Sequence, residues 1–537
     1  MLARETTTEN SSQTATKWQR RFLYVAVFTS GMTTLAIELS ASRLLGNIFG
    51  TSNLVWANVI GLMLIYLTIG YFVGGRWADR SPYYVTLYRI IIWGAFLSGI
   101  VPLVSRPVLT LAAEAVYDLE AGLAIGSFVS ILVLFSVPVT LLGCVSPFAI
   151  RLAITDPKDA GKISGTIYAV STVGSIIGTF TPVLFFIPVA GTTRTFLIFS
   201  GTLLLVGFIG LFISIKRISL RPLWMPASLV ILAIFTLSGP LRPPPPGMEL
   251  LYERDSAYNL IQIVEDDDGM RYLLLNEGQG YHSQWHPDPD RVYFQRTWGY
   301  FLVAPYFNPA YSPEEVERLA IVGLAGGTIA QQYTEVYGPI PIDGIEIDGE
   351  IIEASREYLG MDMPNLNAIV GDGRYEFNRL DHRYSIVGID AYRVPYVPWH
   401  LTTVEFFEEV RDKLTADGVV VINVGRTRTD RRLVNAMANT MLEVYPSVYA
   451  MDVPNSLNTI LVATRQPTDV TNLFDNFDQL DPNSYPILHR ALETATETLV
   501  AVEPSDTLFT DDHAPVETII DEMVLDYVLR GNSPYQQ

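Results

Sequence analysis

The sequence predicts a two-part chain, a multi-pass α-helical membrane bundle followed by a small β-hairpin region and a doubly wound α/β domain. Three observations carry this. Apolar stretches of about 20 residues, the length that crosses a bilayer, recur through the first 240 residues and then stop. Charge divides at the same place: residues 1–245 carry 17 Lys+Arg against 9 Asp+Glu, residues 246–537 carry 19 against 47. Strand and helix patterns alternate through the second part.

Residues 1–21 are read as a disordered cytoplasmic tail, polar and Thr/Ser-rich over 1–16 and without the apolar core of a signal peptide. The bundle, 22–240, holds six or seven helices, on apolar runs near 22–40, 54–75, 86–105, 121–146, 164–189, 195–215 and 223–239. The last run is the shortest. Twelve Lys/Arg flank alternate loops on the N-terminal side, from Lys17 to Arg221, against Arg43, Arg106 and Arg194 opposite. Positive loops stay inside, so the N-terminus is expected in the cytoplasm. Seven crossings would then carry the second part outside, and six would keep it inside.

Within the bundle, Glu38 is a carboxylate in an apolar helix, which should face inward and find a partner; an ion pair and a substrate or proton role both suit it. "GGRWADR", 74–80, resembles the loop between the second and third helices of major facilitator transporters. Small residues in "SGTIYAVSTVGSIIGTF", 164–180, would let helix backbones approach closely. Cys144 stands alone in an apolar run, which excludes a disulfide framework and a cysteine zinc site.

The four prolines of "GPLRPPPPG" mark a linker, 241–249, expected to be a semi-rigid spacer. A hairpin turning on Asp-Asp-Gly follows within a 250–300 subdomain. Over 301–537, strands are expected near 318–323, 341–347, 366–371, 384–390, 418–424, 446–452 and 457–464. Helices fall near 328–337, 349–359, 373–380, 402–415 and 430–444. The last two strands have no helix between them and should form an antiparallel edge hairpin.

The first strand of this series ends in "VGLAGG", with Gly323, Gly326 and Gly327 before a helix, a place where backbone N–H groups can approach a ligand. The second ends in "IEID", so Glu346 and Asp348 emerge where an acid can accept from ribose hydroxyls. The third ends in "VGDGR", bringing Asp372 and Gly373 to the same edge, and the fourth ends at Asp390. A strongly acidic surface of this kind disfavours nucleic acid as a partner.

These residues resemble the spermidine synthases, the polyamine aminopropyltransferases, and especially their membrane-fused relatives. "YNLIQIVE", "LLLNEG", "VGLAGG", "IEID", "GDGR" and "GID" carry the resemblance over about 250–465. "FTDDHAPVE", 509–517, and "LAIELSASRLLG" extend it over most of the chain. It implies a Rossmann-like domain of the class I methyltransferase type. Its co-substrate would be decarboxylated S-adenosylmethionine, with no permanently bound cofactor and no metal. Glu346 would hold ribose, Asp372 the adenine amino group, and Asp390 would serve the incoming amine. Tyr293, after Asp288 and Asp290, matches the family's acid-then-tyrosine stretch against the polyamine. Two positions depart: Ala325 replaces an acid in the glycine turn, and Arg393 replaces a second acid after Asp390.

The expected function is therefore transfer of an aminopropyl group to a di- or polyamine by a protein in the lipid bilayer, with homo-oligomers possible. The alternatives are a methyltransferase using S-adenosylmethionine, or a ligand-sensing domain on a transporter-like bundle. Because sulfonium nucleosides are made in the cytoplasm, the soluble domain is expected there. His282 and His286 stand four apart in what reads as a loop, and are expected to bind no metal. His513 reads as ordering its loop, and "DAYRVPYVPWHL", 390–401, as a lid or a rigid surface loop.

Overall fold

Long apolar runs with few breakers satisfy their own backbone hydrogen bonds as helices, and the first half of the chain does so. The computed structural model describes residues 17–49, 53–115, 122–217, 221–276, 280–288, 291–292, 296–392 and 397–529. It divides into a helical unit, Met1–Leu45, Leu54–Ala112 and Gly126–Gly239, and a second unit, Gly46–Asn53, Ala113–Ile125 and Pro240–Gln537, whose last stretch is the α/β part.

The helical unit contains α1 (Lys17–Phe49), α2 (Asn53–Arg80), α3 (Tyr84–Ala115), α4 (Gly122–Gly143), α5 (Val145–Ala153), α6 (Ala160–Thr181), α7 (Ile187–Ile215) and α8 (Trp224–Leu237). Helix α1 starts at Lys17, so the basic residues placed in a disordered 1–21 tail belong to the helix. The remainder of that tail lies outside the described residues. Five stretches are long and apolar enough to cross a membrane, and the last, Pro157–Ile215, runs 59 residues. A straight helix of that length would reach about 90 Å, three times a hydrocarbon core. Its backbone leaves the helical region at Gly191 (φ 78°, ψ 170°), which divides it into two lengths as the apolar pattern suggested. Helix α8 has 14 residues and reaches only about 21 Å, short of a crossing.

Small residues set how these helices meet. Helices α1 and α6 run in the same direction, with Phe28 against Gly174 and Met32 against Gly178, and Ser175 Oγ donates to the Gly31 carbonyl at 3.2 Å. Helices α2 and α4 also run together, with Gly70 against Gly143 and Asn58 donating to Ser127 at 2.9 Å. Helices α3 and α7 run oppositely, pairing Gly99 with Ser200 and Tyr88 with Gly210. Exchanging α1, α2 and α3 for α4, α6 and α7 maps these contacts onto themselves. That is the relation of an inverted-topology repeat.

The α/β unit opens with an antiparallel meander, β1 (Met248–Asp255), β2 (Leu260–Asp266), β3 (Arg271–Leu275) and β4 (Tyr281–Trp285). The hairpin on Gly269 is β2–β3, and β1 and β4 extend it on either side. Residues 281–285, expected as loop, thus form a strand. The proline segment is not a free spacer. Arg242 Nε donates to Gln262 Oε1 at 2.9 Å and its backbone N–H to Glu253 at 2.9 Å, tying 241–242 to the meander.

The short helix α9 (Thr297–Phe301) leads into the main sheet. There follow β5 (Leu319–Val322), α10 (Thr328–Tyr337), β6 (Ile342–Glu346), α11 (Gly349–Tyr358), β7 (Leu366–Val370), α12 (Gly373–Arg379) and β8 (Tyr384–Ile389). Then come α13 (Val404–Lys413), β9 (Leu414–Gly425), α14 (Arg432–Leu442), β10 (Ser447–Asp452) and β11 (Asn458–Thr464). The chain ends with α15 (Thr471–Gln479), α16 (Pro486–Glu497), β12 (Leu499–Val500) and α17 (Val516–Leu529). The sheet order is β12-β10-β11-β9-β8-β5-β6-β7. Strands β7, β6, β5, β8 and β9 are parallel, and β11 pairs antiparallel with both β9 and β10. The expected edge hairpin exists, but β11 inserts inward of β10 and the two-residue β12 forms the rim. Buried on both faces, the strands are near-continuous apolar runs, as "VVVI" in β9 shows.

The α1–α6 approach can be tested within one helix. A Cβ on Gly178 would overlap the Met32 carbonyl oxygen, whereas one on Gly165 meets nothing within 4 Å. Gly178→Ala should therefore destabilise by about 1–3 kcal/mol, and Gly165→Ala should be neutral or stabilising. Thermal unfolding in detergent distinguishes them, and equal behaviour would remove the close approach.

Candidate functional site

Parallel strand order reverses at β5, which has β6 on one side and β8 on the other. Loops leaving the carboxyl ends part there and open a crevice, the usual ligand position of such sheets. Glu346 ends β6, Asp372 caps α12 after β7, and Asp390 follows β8. The sheet brings these three acids to the carboxyl edge of neighbouring strands.

The glycine turn after β5 does something other than offer its amides outward. Gly323 (φ +93°) has room for no side chain, since a Cβ would lie 2.6 Å from the Asp390 carbonyl carbon. A Cβ on Gly326 would lie 2.7 Å from Ser283, and one on Gly327 2.7 Å from Met361 Cγ. The turn amides are taken by protein: Ala325 N–H donates to Glu346 Oε2 (2.9 Å), Gly326 N–H to Ser283 Oγ (2.7 Å) and Gly327 N–H to the Leu324 carbonyl (3.0 Å). These glycines let β8, the meander and the 359–361 turn close around β5. Gly373 is similar, its missing Cβ filled by Val322.

Glu346 is 8% exposed and accepts from Ala325 N–H and from Asp348 N–H, at 2.9 and 3.2 Å. Burial pushes its carboxyl up to about 7, with the backbone donors Ala325, Asp348 and Ile347 opposing the shift. Asp348 is not poised for a ligand. Its Oδ1 caps α11 through Glu350 N–H, and its Oδ2 accepts from Ser256 Oγ at 2.5 Å and Asn259 Nδ2 at 3.0 Å. It joins the meander to the sheet. Asp372, with a side chain 42% exposed, accepts from Tyr375 N–H through Oδ1 and faces His400 Nε2 at 3.1 Å through Oδ2.

Asp390 is half-buried. Asn423 Nδ2 donates to its Oδ1 at 2.9 Å, and the Trp298 side chain adds a hydrogen bond. Burial still dominates and pushes its carboxyl up to about 7. A carboxylate with that pKa is matched to general-base work near neutrality. Tyr392 follows, and burial together with the Asp390 charge raises its hydroxyl. Tyr293 and Arg393 lie outside the described residues, as do 393–396 of the expected lid.

Several residues here escape sequence reasoning. Asn423 closes the apolar run "VVVI", and a polar residue at the carboxyl end of a buried strand was the available signal. Trp298 and His400 carry no such mark. The "GDGR" and "FTDDHAPVE" motifs prove to be one structure, because Arg374 donates to Glu409 (2.6 Å) and Asp511 (2.7 Å), and Thr403 Oγ1 also donates to Asp511. These two carboxylates hold the Arg374 guanidinium well above its ordinary pKa. His513 shares a turn with Thr510 through paired backbone hydrogen bonds. Burial lowers His282 to about 4, and the His286 ring meets Asp268, Asp288 and Arg291. Among the described residues no group of three or more His, Cys, Asp or Glu is placed to hold a metal.

The Glu346 shift has a stability consequence. Its proton is held in the fold at pH values where the unfolded chain has lost it, so its contribution is complete below about pH 4.5 and is lost as pH rises through about 7. The full effect is on the order of 3 kcal/mol. The unfolding temperature of the full chain should fall between pH 5 and pH 8, and Glu346→Gln should flatten that dependence. An unchanged slope in the variant would show that Glu346 ionises normally.

Residues 309–475 match the spermine/spermidine synthase domain. The chain is 26% identical over 308 residues to a probable polyamine aminopropyl transferase of Bifidobacterium longum, covering 54% of this chain and 66% of that relative. It is 28% identical over 214 residues to a polyamine aminopropyltransferase of Vibrio vulnificus, covering 38% and 68%. The chain thus spans about two thirds of the length of these relatives. A probable spermidine synthase structure from Corynebacterium glutamicum aligns over 50% of this chain and 99% of its own, at 20% identity and a TM-score of 0.37. The C-terminal part of the chain carries a spermine/spermidine synthase domain.

Proposed function

We propose that the α/β unit transfers an aminopropyl group from decarboxylated S-adenosylmethionine to a di- or polyamine. Asp390 is the observation that carries this reading: a half-buried carboxyl raised to about 7, fixed by Asn423 and Trp298 at the switch point. A primary amine is protonated at neutral pH and cannot attack until it loses a proton. Asp390 accepts that proton. The freed nitrogen then attacks the carbon beside sulfur in line with the C–S bond, which breaks and leaves a neutral thioether. Fixing the two partners in line supplies much of the rate.

Glu346 holds the ribose hydroxyls in this reading. Its oxygens accept backbone N–H groups from Ala325 and Asp348 and can also accept from a hydroxyl. Asp372, half exposed beside His400, receives the adenine amino group. Ala325 favours a second reading, methyl transfer from S-adenosylmethionine, because no acid stands in the turn to grip the amine of a decarboxylated ligand.

Incubation of the purified chain with each sulfonium compound and putrescine separates these. Release of methylthioadenosine supports aminopropyl transfer, release of S-adenosylhomocysteine supports the methyltransferase, and release of neither leaves a ligand sensor. Asp390→Asn should lower aminopropyl turnover about 10²–10⁴-fold with nucleoside binding retained. Wild-type turnover should rise with pH through about 7 as Asp390 loses its proton. A variant with near-normal turnover would reduce Asp390 to a structural residue.

The helical unit is placed in the bilayer with the N-terminus cytoplasmic, and the shortness of α8 favours six crossings, which keep the α/β unit in the cytoplasm beside its ligand supply. Asn483→Cys puts a thiol on the exposed segment between α15 and α16, with Cys144→Ser removing the native one. An impermeant thiol reagent should leave it unlabelled in intact cells and label it after lysis. Ready labelling in intact cells would place the unit outside.

A further inference from the structure

The main sheet ends unfinished at β10. Strand β12 pairs with β10 only at Ala450–Val500 and Met451–Leu499, and the chain then leaves the rim over residues 501–504. In an antiparallel pair, alternate residues turn both main-chain groups toward the same neighbour. Asp452 turns toward β12, where its N–H donates to the Thr498 carbonyl at 2.9 Å, so Ala450 and Val448 turn the same way. Ala450 meets Val500. Val448 meets no strand there, and among the described residues no main-chain hydrogen bond reaches it from that side.

A cavity of about 710 Å³ lies at this rim, and its walls come from both faces of the sheet. Asn439 and Leu442 belong to α14, which packs with Val448 and Ala450 on one face. Val470 and Phe474 belong to the start of α15, which packs with Tyr449 and Met451 on the other. Residues 499–504 supply the remaining wall. The space thus wraps the sheet edge where one more strand would lie. Leu442, Val470 and Phe474 are 48%, 37% and 42% exposed along it. Large apolar side chains left open at an unpaired edge are a hazard that natural sheets avoid unless the edge binds something.

Charge selects the occupant. Glu503 is the sole charged residue in the lining. Glu443, Asp469 and Asp475, each exposed, adjoin Leu442, Val470 and Phe474 in the chain. Among the described residues no ion pair engages any of these four acids. A second copy would bring the same acidic part, with 47 Asp+Glu against 19 Lys+Arg over residues 246–537, and be repelled. A basic segment is drawn in.

We propose that this edge receives an extended polypeptide segment of a partner, with apolar residues at alternate positions and Lys or Arg between them. Its main chain pairs with Val448, and its side chains cover Leu442 on one face and Phe474 on the other, as the two-residue period of a strand provides. The inference makes no use of the chemistry at Asp390.

The full chain in nanodiscs of zwitterionic lipid tests this, with a fluorescent, end-blocked peptide of alternating Val and Lys as the probe. Fluorescence anisotropy reads its Kd, and hydrogen exchange with mass spectrometry reads the Val448 amide. That amide should exchange freely in the protein alone. With peptide at ~10 times its Kd it should exchange about tenfold more slowly, because mass action leaves about a tenth of the edges open. Leu442→Ser and Phe474→Ser alter exposed side chains, so the fold is kept, and each should raise the Kd about tenfold. Glu503→Lys should also weaken binding. Peptides with Ser in place of Val, or Glu in place of Lys, should leave the amide open. Absence of binding, a Val448 amide already protected in the protein alone, equal protection by the Ser–Lys peptide, or a Kd unmoved by both serine variants would each overturn the edge site.

Discussion

The carboxylate of Glu346 is the point on which the carboxyl edge of the sheet is assembled. It accepts the Ala325 N–H of the turn after β5 and the Asp348 N–H that begins α11. Asp348 in turn caps that helix and receives Ser256 and Asn259 from the meander. One buried acid therefore sets the glycine turn, the start of a helix and the seat of a second sheet. Its pKa near 7 is the energetic trace of that position, since a carboxyl surrounded by protein prefers its proton. Burial acts in the same direction on Asp390, two strands away.

Arg374 organises the other side of the crevice. Glu409 on α13 and Asp511 near the C-terminus share its guanidinium, and the Asp372 cap stands two residues before it. Segments more than a hundred residues apart in sequence become one charged network with well-defined geometry. Forked arginine contacts of this kind fix orientation more than an isolated surface pair does. The position of Asp372 thus depends on the chain's last motif, and "FTDDHAPVE" has a structural reason to accompany "GDGR".

The helical unit is governed by close backbone approach. Gly174 and Gly178 admit α1, and Gly70 and Gly143 admit each other, so these helices meet by backbone shape.

Periodicity alone determined much of this protein. The apolar runs marked each long helix, and alternating strands and helices marked the parallel sheet with boundaries close to those observed, because side-chain burial repeats at 3.6 or 2 residues whatever the tertiary context. Glu346, Asp372 and Asp390 were legible as strand-end acids for the same reason. What sequence left open was the partner of each group. The glycines of the turn read as room for a ligand, and the fold fills that room with Ser283, Met361 and the Asp390 backbone. Asp348 read as a ligand contact and serves as a cap and a joint. Asn423, Trp298 and the Arg374–Asp511 pairing depend on which strands neighbour one another, and β11 entering between β9 and β10 is written in no local pattern. Local sequence sets each element's periodicity and ends, while long-range packing decides what each buried polar group meets.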